Sequence, residues 1–398
     1  METAMGRDYR LLLFVRVLRS FGFGFVPVLL GLRFEERGLG AGPLGAALSI
    51  GVLAAALSGL PLAALASRLG RRPVLAATGL LMALTGADLA TATQPAVLIL
   101  AGATGMLGAS GTDLGPYLAI EQSALVDSVP DRRRNRAFGR YSLAGGLAAA
   151  AGGLVASLGT SPGRIQVLFL AFAALGLTTG AISLFLSPQA GIAPPGPIIS
   201  RASAKPLAGL AALFGIDALG GGLVLQTVIA YWLHIRFGAG SALLGPSFAL
   251  IALVQAGSYE VASRLADRIG LVRTMVFTHL PSNVLLMLVP FSPNLPVALG
   301  VLTLRFAIAQ MDVPARQAYV ASIVPPAERA GALALTGTVR GVMQAVGPLI
   351  AGFAIQAAAA GLPFLLAGGL KISYDLGLYA AFSQRPGGHE ALRPPRKP

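Results

Sequence analysis

Cysteine is absent from this chain of 398 residues, and histidine and charged side chains are scarce. Without cysteine there is no disulfide, no thiolate zinc site and no cysteine nucleophile. The three histidines (His234, His279 and His389) are far apart in the sequence, and no two of them have the spacing of metal ligands. We therefore expect neither a metal centre nor any other cofactor.

Charged residues make up 12% of the chain, about half the share that is usual in soluble proteins. Hydrophobic residues make up 55%, and the 51 glycines suit helices that pack closely in lipid. Apolar runs of about 20 residues, the length that crosses a bilayer, recur along the whole chain. They predict twelve spans, near residues 11–32, 43–66, 74–92, 97–126, 137–158, 165–187, 207–235, 245–265, 274–292, 297–323, 331–358 and 363–383.

The basic residues have a one-sided distribution. Of the 30 Lys and Arg residues, 20 fall in segments that a cytoplasmic N-terminus places inside, four fall in outer segments and six fall within the spans. This bias follows the positive-inside rule, and it predicts a multi-pass protein of the cytoplasmic (inner) membrane with both termini in the cytoplasm. The net charge of +14 therefore indicates topology, and we expect no nucleic-acid partner.

A proline-rich stretch divides the chain after the sixth predicted span. It predicts four parts: an N-terminal six-helix half (1–187), a cytoplasmic linker (188–206), a C-terminal six-helix half (207–383) and a basic cytoplasmic tail (384–398).

Three matches with nearly equal offsets indicate that the two halves are related. The phrase Ser67-Arg68-Leu69-Gly70-Arg71-Arg72 corresponds to Asp267-Arg268-Ile269-Gly270-Leu271-Val272-Arg273, 200 residues later. Arg19-x-x-Gly22-x-Gly24 corresponds to Asp217-x-x-Gly220-x-Gly222, and Gln122 with Val129-Pro130 corresponds to Gln317 with Val324-Pro325. Repeats of this kind are typical of carriers that move one half against the other.

The loops after spans two and eight resemble the signature Gly-x-x-x-Asp-Arg/Lys-x-Gly-Arg-Arg/Lys of the major facilitator superfamily. The first copy departs from it at Ala63 and Ser67. The resemblance implies an all-α membrane protein of twelve transmembrane helices in two pseudo-symmetric halves, a monomer that works by alternating access. It also implies that loop residues form gating contacts on the inner face in one access state and break them in the other, namely Gly70, Arg71, Arg72, Asp267, Arg268 and Gly270.

Twelve ionisable residues lie at membrane depth, six of each sign, and such residues normally face a cavity or a partner. Eight of them lie on spans one, four, seven and ten, which line the central path in the family that the chain resembles. Seven of these eight, together with Gln310 and with Arg340 on span eleven, form our candidate substrate and proton pathway: Arg19, Asp113, Glu121, Asp217, Arg305, Gln310, Asp312, Arg316 and Arg340.

We expect specific partners among these charges. Arg19 is predicted to pair with Glu121 or Asp217, and Glu121 with Arg316, across the interface between the halves. Lys371 and Asp375, one turn apart, are predicted to form an internal pair. Asp217 is the first candidate for a proton site. Arg305, Asp312 and Arg316 are spaced by seven and four residues, which predicts a polar stripe on one face of span ten. These charges either contact the substrate or form a structural Arg-Asp-Arg network.

No phosphate-binding loop and no hydrolase motif is present, so we expect neither an ATP-driven pump nor an enzyme. The function predicted is secondary active transport of a small polar or anionic organic solute, coupled to protons, with membrane lipids as the surrounding partner. Two alternatives stay open: proton-coupled efflux of amphipathic drugs or lipids, and a scaffold or sensor that does not transport.

Overall fold

The computed structural model describes residues 2–110, 117–130, 134–188, 200–309, 312, 315–316, 319–320, 323–325 and 328–382. All regular elements among these residues are helical, as the apolar runs predict. The α-helices are α1 (Glu2–Glu36), α2 (Ala41–Leu69), α3 (Arg71–Thr91), α4 (Pro95–Leu100), α5 (Leu118–Asp127), α6 (Arg134–Ala156), α7 (Pro162–Ser183), α8 (Arg201–Leu223), α9 (Gln226–Phe237), α10 (Ser241–Ile269), α11 (Leu271–Leu288), α12 (Leu295–Ala309), α13 (Arg329–Gln356) and α14 (Leu362–Phe382).

Many of these helices are long and apolar enough to cross a membrane. Among the described residues eight segments meet this condition: Gly6–Glu36, Ala41–Gly59, Arg71–Thr91, Pro162–Ser183, Ser203–Phe237, Ser241–Ser258, Leu271–Phe291 and Gly331–Gln356. Shorter apolar helices cover Pro95–Thr104 and Leu295–Ala309. The predicted all-α membrane class is confirmed.

Two predicted spans are not continuous helices. The span expected at 97–126 begins as α4 and a 3-10 turn (Ala101–Thr104), residues 105–110 are not helical, and α5 begins at Leu118. Gly105 and Gly108 lie between them with φ of 71° and 64°, a left-handed conformation that ends a right-handed helix. The span expected at 207–235 is interrupted between α8 and α9. The two interruptions meet, because the backbone N–H and the hydroxyl of Thr227 both donate to the carbonyl of Ala109, at 3.2 and 3.0 Å.

The chain forms two compact units. The first comprises Met1–Pro194, Leu223–Leu253 and Ala345–Pro363, and the second comprises Pro195–Gly222, Val254–Gln344 and Phe364–Pro398. The first unit therefore includes segments of the predicted C-terminal half, all of them from the side that we predict to face outward. The boundaries of the two repeated halves stay a prediction.

Within the first unit, α2 packs closely on α13. The backbone N–H of Gly42 donates to Oε1 of Gln356 at 3.1 Å. A methyl group on Gly352 would lie 2.4 Å from the carbonyl oxygen of Ala41 and 3.0 Å from Cα of Gly45. Only glycine allows the two backbones to approach this closely. We call this packing of Gly42 and Gly45 against Gly352 and Gln356 the outer seal, because it lies at the ends of α2 and α13 that the sequence predicts to face outward.

The second unit has an apolar core of its own. Its fully buried aromatic and aliphatic side chains include Leu207 and Phe214 on α8, Met275 on α11, and Tyr374 on α14. Burial of this apolar surface stabilises the unit and fixes which faces of α8, α11 and α14 point inward. The same faces carry the charged residues described below.

The two matching loops have the same backbone conformation. Gly70 joins α2 to α3 with φ 87° and ψ 163°, and Gly270 joins α10 to α11 with φ 91° and ψ 162°. This region is essentially restricted to glycine. The repeated glycine of the sequence is therefore explained by one sharp turn that is made twice.

Candidate functional site

Asp217 on α8 is the centre of a buried ionic cluster in the second unit. It is 2% exposed, and it accepts hydrogen bonds from Nζ of Lys371 at 2.6 Å and from Nη1 of Arg340 at 2.8 Å. Nη1 of Arg316 lies 3.7 Å from its Oδ2 atom. A buried carboxylate is tolerated only with such partners, and here the partners come from three different parts of the sequence.

Asp312 and Arg316, which we predicted to share a face of span ten, contact each other. Nη1 of Arg316 donates to Oδ2 of Asp312 at 2.5 Å. Their spacing of four residues is that of neighbours on one helical face. Arg316 therefore connects Asp312 to Asp217, and the predicted polar stripe is part of the same cluster.

Arg305, the third charged residue of that stripe, differs from the others. It is 7% exposed, and its Nε atom has no hydrogen-bond partner. Its Cζ atom lies 4.4 Å from the ring centre of Phe306, and no carboxylate oxygen of the described residues lies within 4.0 Å of its guanidinium. Arg305 is thus a buried cation without an ion pair in the described part of the chain.

His279 and Asn283 on α11 complete the cluster. Nδ1 of His279 lies 2.9 Å from Oδ1 of Asp375, and Nδ2 of Asn283 donates to Oδ2 of the same carboxylate at 2.9 Å. The predicted pair between Lys371 and Asp375 is wrong. Although these residues are one turn apart on α14, Lys371 reaches Asp217 on α8, and Asp375 turns to α11, because tertiary neighbours offer each of them a closer partner.

The cluster carries more cations than carboxylates. Among the described residues it comprises four cations and three carboxylates, all buried except Arg316 and the 26% exposed Arg340: Arg305, Arg316, Arg340, Lys371, Asp217, Asp312 and Asp375. Within the described part of the chain the excess is one positive charge when His279 is neutral, and it includes the partly exposed Arg340. In a membrane interior such an excess is expensive unless a negative ligand balances it.

A second, smaller ionic site lies in the first unit. Nη1 of Arg19 donates to Oε1 of Glu121 at 3.0 Å, and a second bond joins Nη2 to Oε2. The hydroxyl of Tyr141 also donates to Glu121, and Cζ of Arg19 lies 3.8 Å above the ring centre of Tyr117. The predicted Arg19–Glu121 pair is present, within a single unit. Glu121 binds Arg19 and Tyr141, and Arg316 binds Asp312, each within its own unit. The pairing of Glu121 with Arg316 across the interface between the halves stays a prediction.

The structure describes the side chains of some of the predicted gating residues. Nη2 of Arg71 donates to Oδ2 of Asp127 at 2.5 Å and to Oγ of Ser123 at 3.1 Å, which ties the start of α3 to the end of α5. Arg72 is half-buried in the same turn, and Arg268 is exposed at the end of α10. Of Asp267 only the helical backbone is described, and Asp113 and Gln310 lie outside the described residues.

Sequence reasoning missed His279, Asn283 and Asp127. We treated the histidines only as possible metal ligands and found no pair of them. The signal was nevertheless present, because His279 and Asn283 are polar residues four apart in an apolar span, which places them on one face. Asp127 carried no comparable signal, since an acidic residue near a helix end is common.

A family model of the Major Facilitator Superfamily matches residues 12–304, well over half of the chain. The chain belongs to the major facilitator superfamily. The uncharacterized membrane protein YJR124C of Saccharomyces cerevisiae is similar along its length, with 24% identity over 94% of each chain.

Solved structures of the superfamily have the same fold. A mutant form of the nucleoside transporter NupG is similar with a TM-score of 0.78 and 16% identity over 94% of this chain and 99% of that one. The D-xylose-proton symporter has a TM-score of 0.72 and 13% identity over 94% and 97%. The human organic anion transporter MFSD10 (TETRAN) has a TM-score of 0.60 and 19% identity over 94% and 99%. At these identities the likeness shows the fold, which is that of superfamily transporters.

Proposed function

We propose that this protein is a proton-coupled secondary active transporter that moves a small anionic organic solute by alternating access. The observation that carries the proposal is Arg305, a buried cation in a cluster that has four cations and three carboxylates among the described residues, with no carboxylate of those residues within 4.0 Å of its guanidinium. In this proposal the solute is bound by three arginines, Arg305, Arg316 and Arg340. Two carboxylates, Asp217 and Asp312, hold Arg316 and Arg340 in position. The cytoplasmic membrane as location, both termini inside, and a monomeric state belong to the same proposal.

The physical reason is the cost of a buried charge. An unpaired guanidinium in a low-dielectric interior loses its hydration and gains no partner, which costs several kcal/mol. A carboxylate or phosphate on a solute would supply that partner, and Arg is suited to bind either with two parallel hydrogen bonds. The anion is therefore bound where the protein has left a charge uncompensated.

The names of the similar structures do not select the solute. They include a nucleoside transporter, a xylose-proton symporter and an organic anion transporter, all on one fold. A fold can host many substrates, so the anionic class rests on the residues of this chain.

Alternating access requires that the outer seal open and close. In this structure the seal is closed, with α2 and α13 in backbone contact at Gly45 and Gly352. We propose that the inner loops around Gly70, Arg71 and Gly270 hold the opposite end closed in the other state. The contact between Arg71 and Asp127 is one that such a change can make or break.

Uptake into proteoliposomes tests the substrate class. Purified protein is reconstituted with a trapped pH-sensitive dye, and acetate, succinate, benzoate, inorganic phosphate, glucose and tetraphenylphosphonium are offered in turn. We expect one of the anions to enter with a change of internal pH, and Arg305→Gln to lower uptake at low solute concentration by at least tenfold. The exposed Arg236→Gln, at the end of α9, is the matched control and retains uptake. Transport of only the uncharged or cationic solutes, with Arg305→Gln fully active, would overturn the proposal.

Substitution in the outer seal tests alternating access. Gly352→Leu places a side chain where the backbone of α2 lies, so the seal cannot close and uptake stops. Since the chain lacks cysteine, Leu48→Cys, fully buried on α2, reports opening by its reaction with an impermeant maleimide. We expect labelling to rise at least tenfold in Gly352→Leu and not in the control Gly300→Leu, where nothing lies within 4 Å. Unchanged labelling with normal uptake would contradict alternating access at this seal.

A further inference from the structure

Asp375 is the one carboxylate of the cluster without a lysine or arginine partner in the described part of the chain. It is completely buried, and its contacts are the ring of His279 and the amide of Asn283. Asp217 and Asp312 by contrast each contact at least one permanent cation. The charge of Asp375 is therefore balanced only if a proton is bound at Asp375 or His279.

His279 lies between two carboxylates. Its Nδ1 atom is 2.9 Å from Asp375, and its Nε2 atom is 3.7 Å from Oδ1 of Asp217. In the tautomer with its proton on Nδ1, the one N–H of the neutral imidazole donates to Asp375. A second proton on Nε2 makes the ring a cation that faces a carboxylate on both sides, and the buried charge of Asp375 is then compensated.

We infer that His279 and Asp375 together hold one exchangeable proton, and that this proton and the transported anion bind together, so that the protein is a proton–anion symporter. The statement that the proton and the anion are transported together rests on the proposed function. The proton comes from water on one side of the membrane, occupies the ring nitrogen, and returns to water on the other side, with no change in any other bond.

The groups around His279 explain why the two ligands would cooperate. Tyr374 on α14 packs edge-on against the ring, with 5.9 Å between ring centres, and Ser282 on α11 contacts the backbone carbonyl of Arg305. The titratable and charged groups facing the ring or its two carboxylates come from α8, α12, α13, α14 and span ten: Asp217, Arg305, Arg340, Lys371, Tyr374, Asp375, Asp312 and Arg316.

The coupling passes through Asp217. Its Oδ1 atom accepts from Lys371 at 2.6 Å and lies 3.7 Å from Nε2 of His279, so both compete for one oxygen. Protonation of His279 adds one positive charge to the cluster. This added charge strengthens the attraction of a solute anion near Arg305, and the anion in turn stabilises the proton.

Asp217, our first candidate for the proton site from sequence, is less suited to this role. Lys371, Arg340 and Arg316 lie within 4.0 Å of it and already balance its charge. Adding a proton there would leave three cations around a neutral acid. The proton thus goes to the pair whose charge is otherwise uncompensated.

Nitrogen NMR of histidine-labelled protein tests the proton site without any substrate. Only three histidines are present, and His279→Gln identifies the resonances of His279 by their loss. We expect a protonation step at His279 in the wild type, and a shift of that step by at least tenfold in proton concentration in Asp375→Asn. His234→Gln, at the end of α9, is the control and leaves the step unchanged. A His279 signal that does not titrate, or that Asp375→Asn leaves unchanged, overturns the inference.

Joint binding of the proton and the anion is tested by measuring how acetate, succinate, benzoate and inorganic phosphate bind to the purified protein. For the anion that wild-type protein transports, affinity should fall about tenfold for each unit by which the pH rises on the alkaline side of the step, and His279→Gln should abolish this dependence. An affinity independent of pH in the wild type overturns symport. If none of the anions binds while the NMR step is present, the proposed anion transport fails and the proton site stands, so the two failures are distinguishable.

Discussion

The ionic site of the first unit and the cluster of the second unit are both buried, yet they differ in charge balance. In the first unit one guanidinium meets one carboxylate through two hydrogen bonds, and Tyr117 and Tyr141 satisfy the rest of the pair. In the described part of the second unit four cations share three carboxylates, and Arg305 has no carboxylate within 4.0 Å of its guanidinium. A balanced pair needs no ligand, whereas an unbalanced cluster is completed by one.

The difference in charge balance indicates a structural role for the ionic site of the first unit and a role in transport for the cluster of the second unit. A satisfied pair holds α1, α5 and α6 in fixed positions, because separating its members exposes two charges to an apolar interior. An unsatisfied cluster changes its electrostatic energy when an anion or a proton arrives, so it can bias the protein between access states. We therefore expect substitutions in the first unit to affect folding and substitutions in the second to affect transport.

The largest expected effect is on stability, at Glu121. Glu121→Gln leaves Arg19 buried without a counter-charge, which costs about 3–5 kcal/mol in the free energy of unfolding. Denaturant unfolding in detergent micelles, followed by the single tryptophan, Trp232 of the first unit, measures the loss.

The double variant Arg19→Met with Glu121→Leu serves as its control. It removes both charges, and apolar replacement of a buried pair is often neutral, so most of the loss should be recovered. A small loss in Glu121→Gln would show that the pair is not structural, and the contrast between the units would disappear.

A smaller and opposite effect is expected for Arg305. Arg305→Met removes a buried cation that has no ion pair in the described part of the chain, so the free energy of unfolding should stay within about 1 kcal/mol of the wild type or rise. Circular dichroism during denaturant unfolding measures it, with transport activity recorded on the same sample. Loss of stability comparable to that of Glu121→Gln would mean that Arg305 has a structural role instead.

The smallest effect is expected outside the membrane spans, at Glu328. Hydrogen bonds from the hydroxyl of Ser203 lower the pKa of Glu328 below its ordinary value of 4.5. A carboxyl with a lowered pKa in the folded state stabilises the protein above its unfolded pKa, and this contribution is lost as the pH falls through the folded pKa. Glu328→Gln should thus lower the thermal midpoint slightly at pH 7 and not at the acidic end of the range.

Thermal unfolding in detergent between pH 7 and pH 3 checks this prediction. Ser203→Ala, which removes the donor and keeps the carboxyl, should reduce the difference in the same pH range. A midpoint that Glu328→Gln lowers equally at both ends of the range would contradict the assigned contact.

Much of the fold was predictable because membrane helices have local signatures. Length and hydrophobicity of the apolar runs indicated the spans, and the repeated phrase around Gly70 and Gly270 indicated one turn made twice. The breaks at Gly105 and between α8 and α9 were not predicted, because glycine is also common inside membrane helices. There the backbone conformation depends on the neighbour that receives the freed hydrogen bonds, as Thr227 shows with Ala109.

The sequence by itself determined which charges enter the membrane and which spans carry them, since hydropathy and the positions of Arg and Asp are read directly from the chain. Only the tertiary structure decided their partners. It turned Lys371 away from Asp375 toward Asp217, placed His279 between two carboxylates, and left Arg305 without an ion pair among the described residues. The physical reason is that a buried charge binds whichever opposite charge the packing of helices brings nearest, and this depends on the rotation of each helix rather than on distance along the chain.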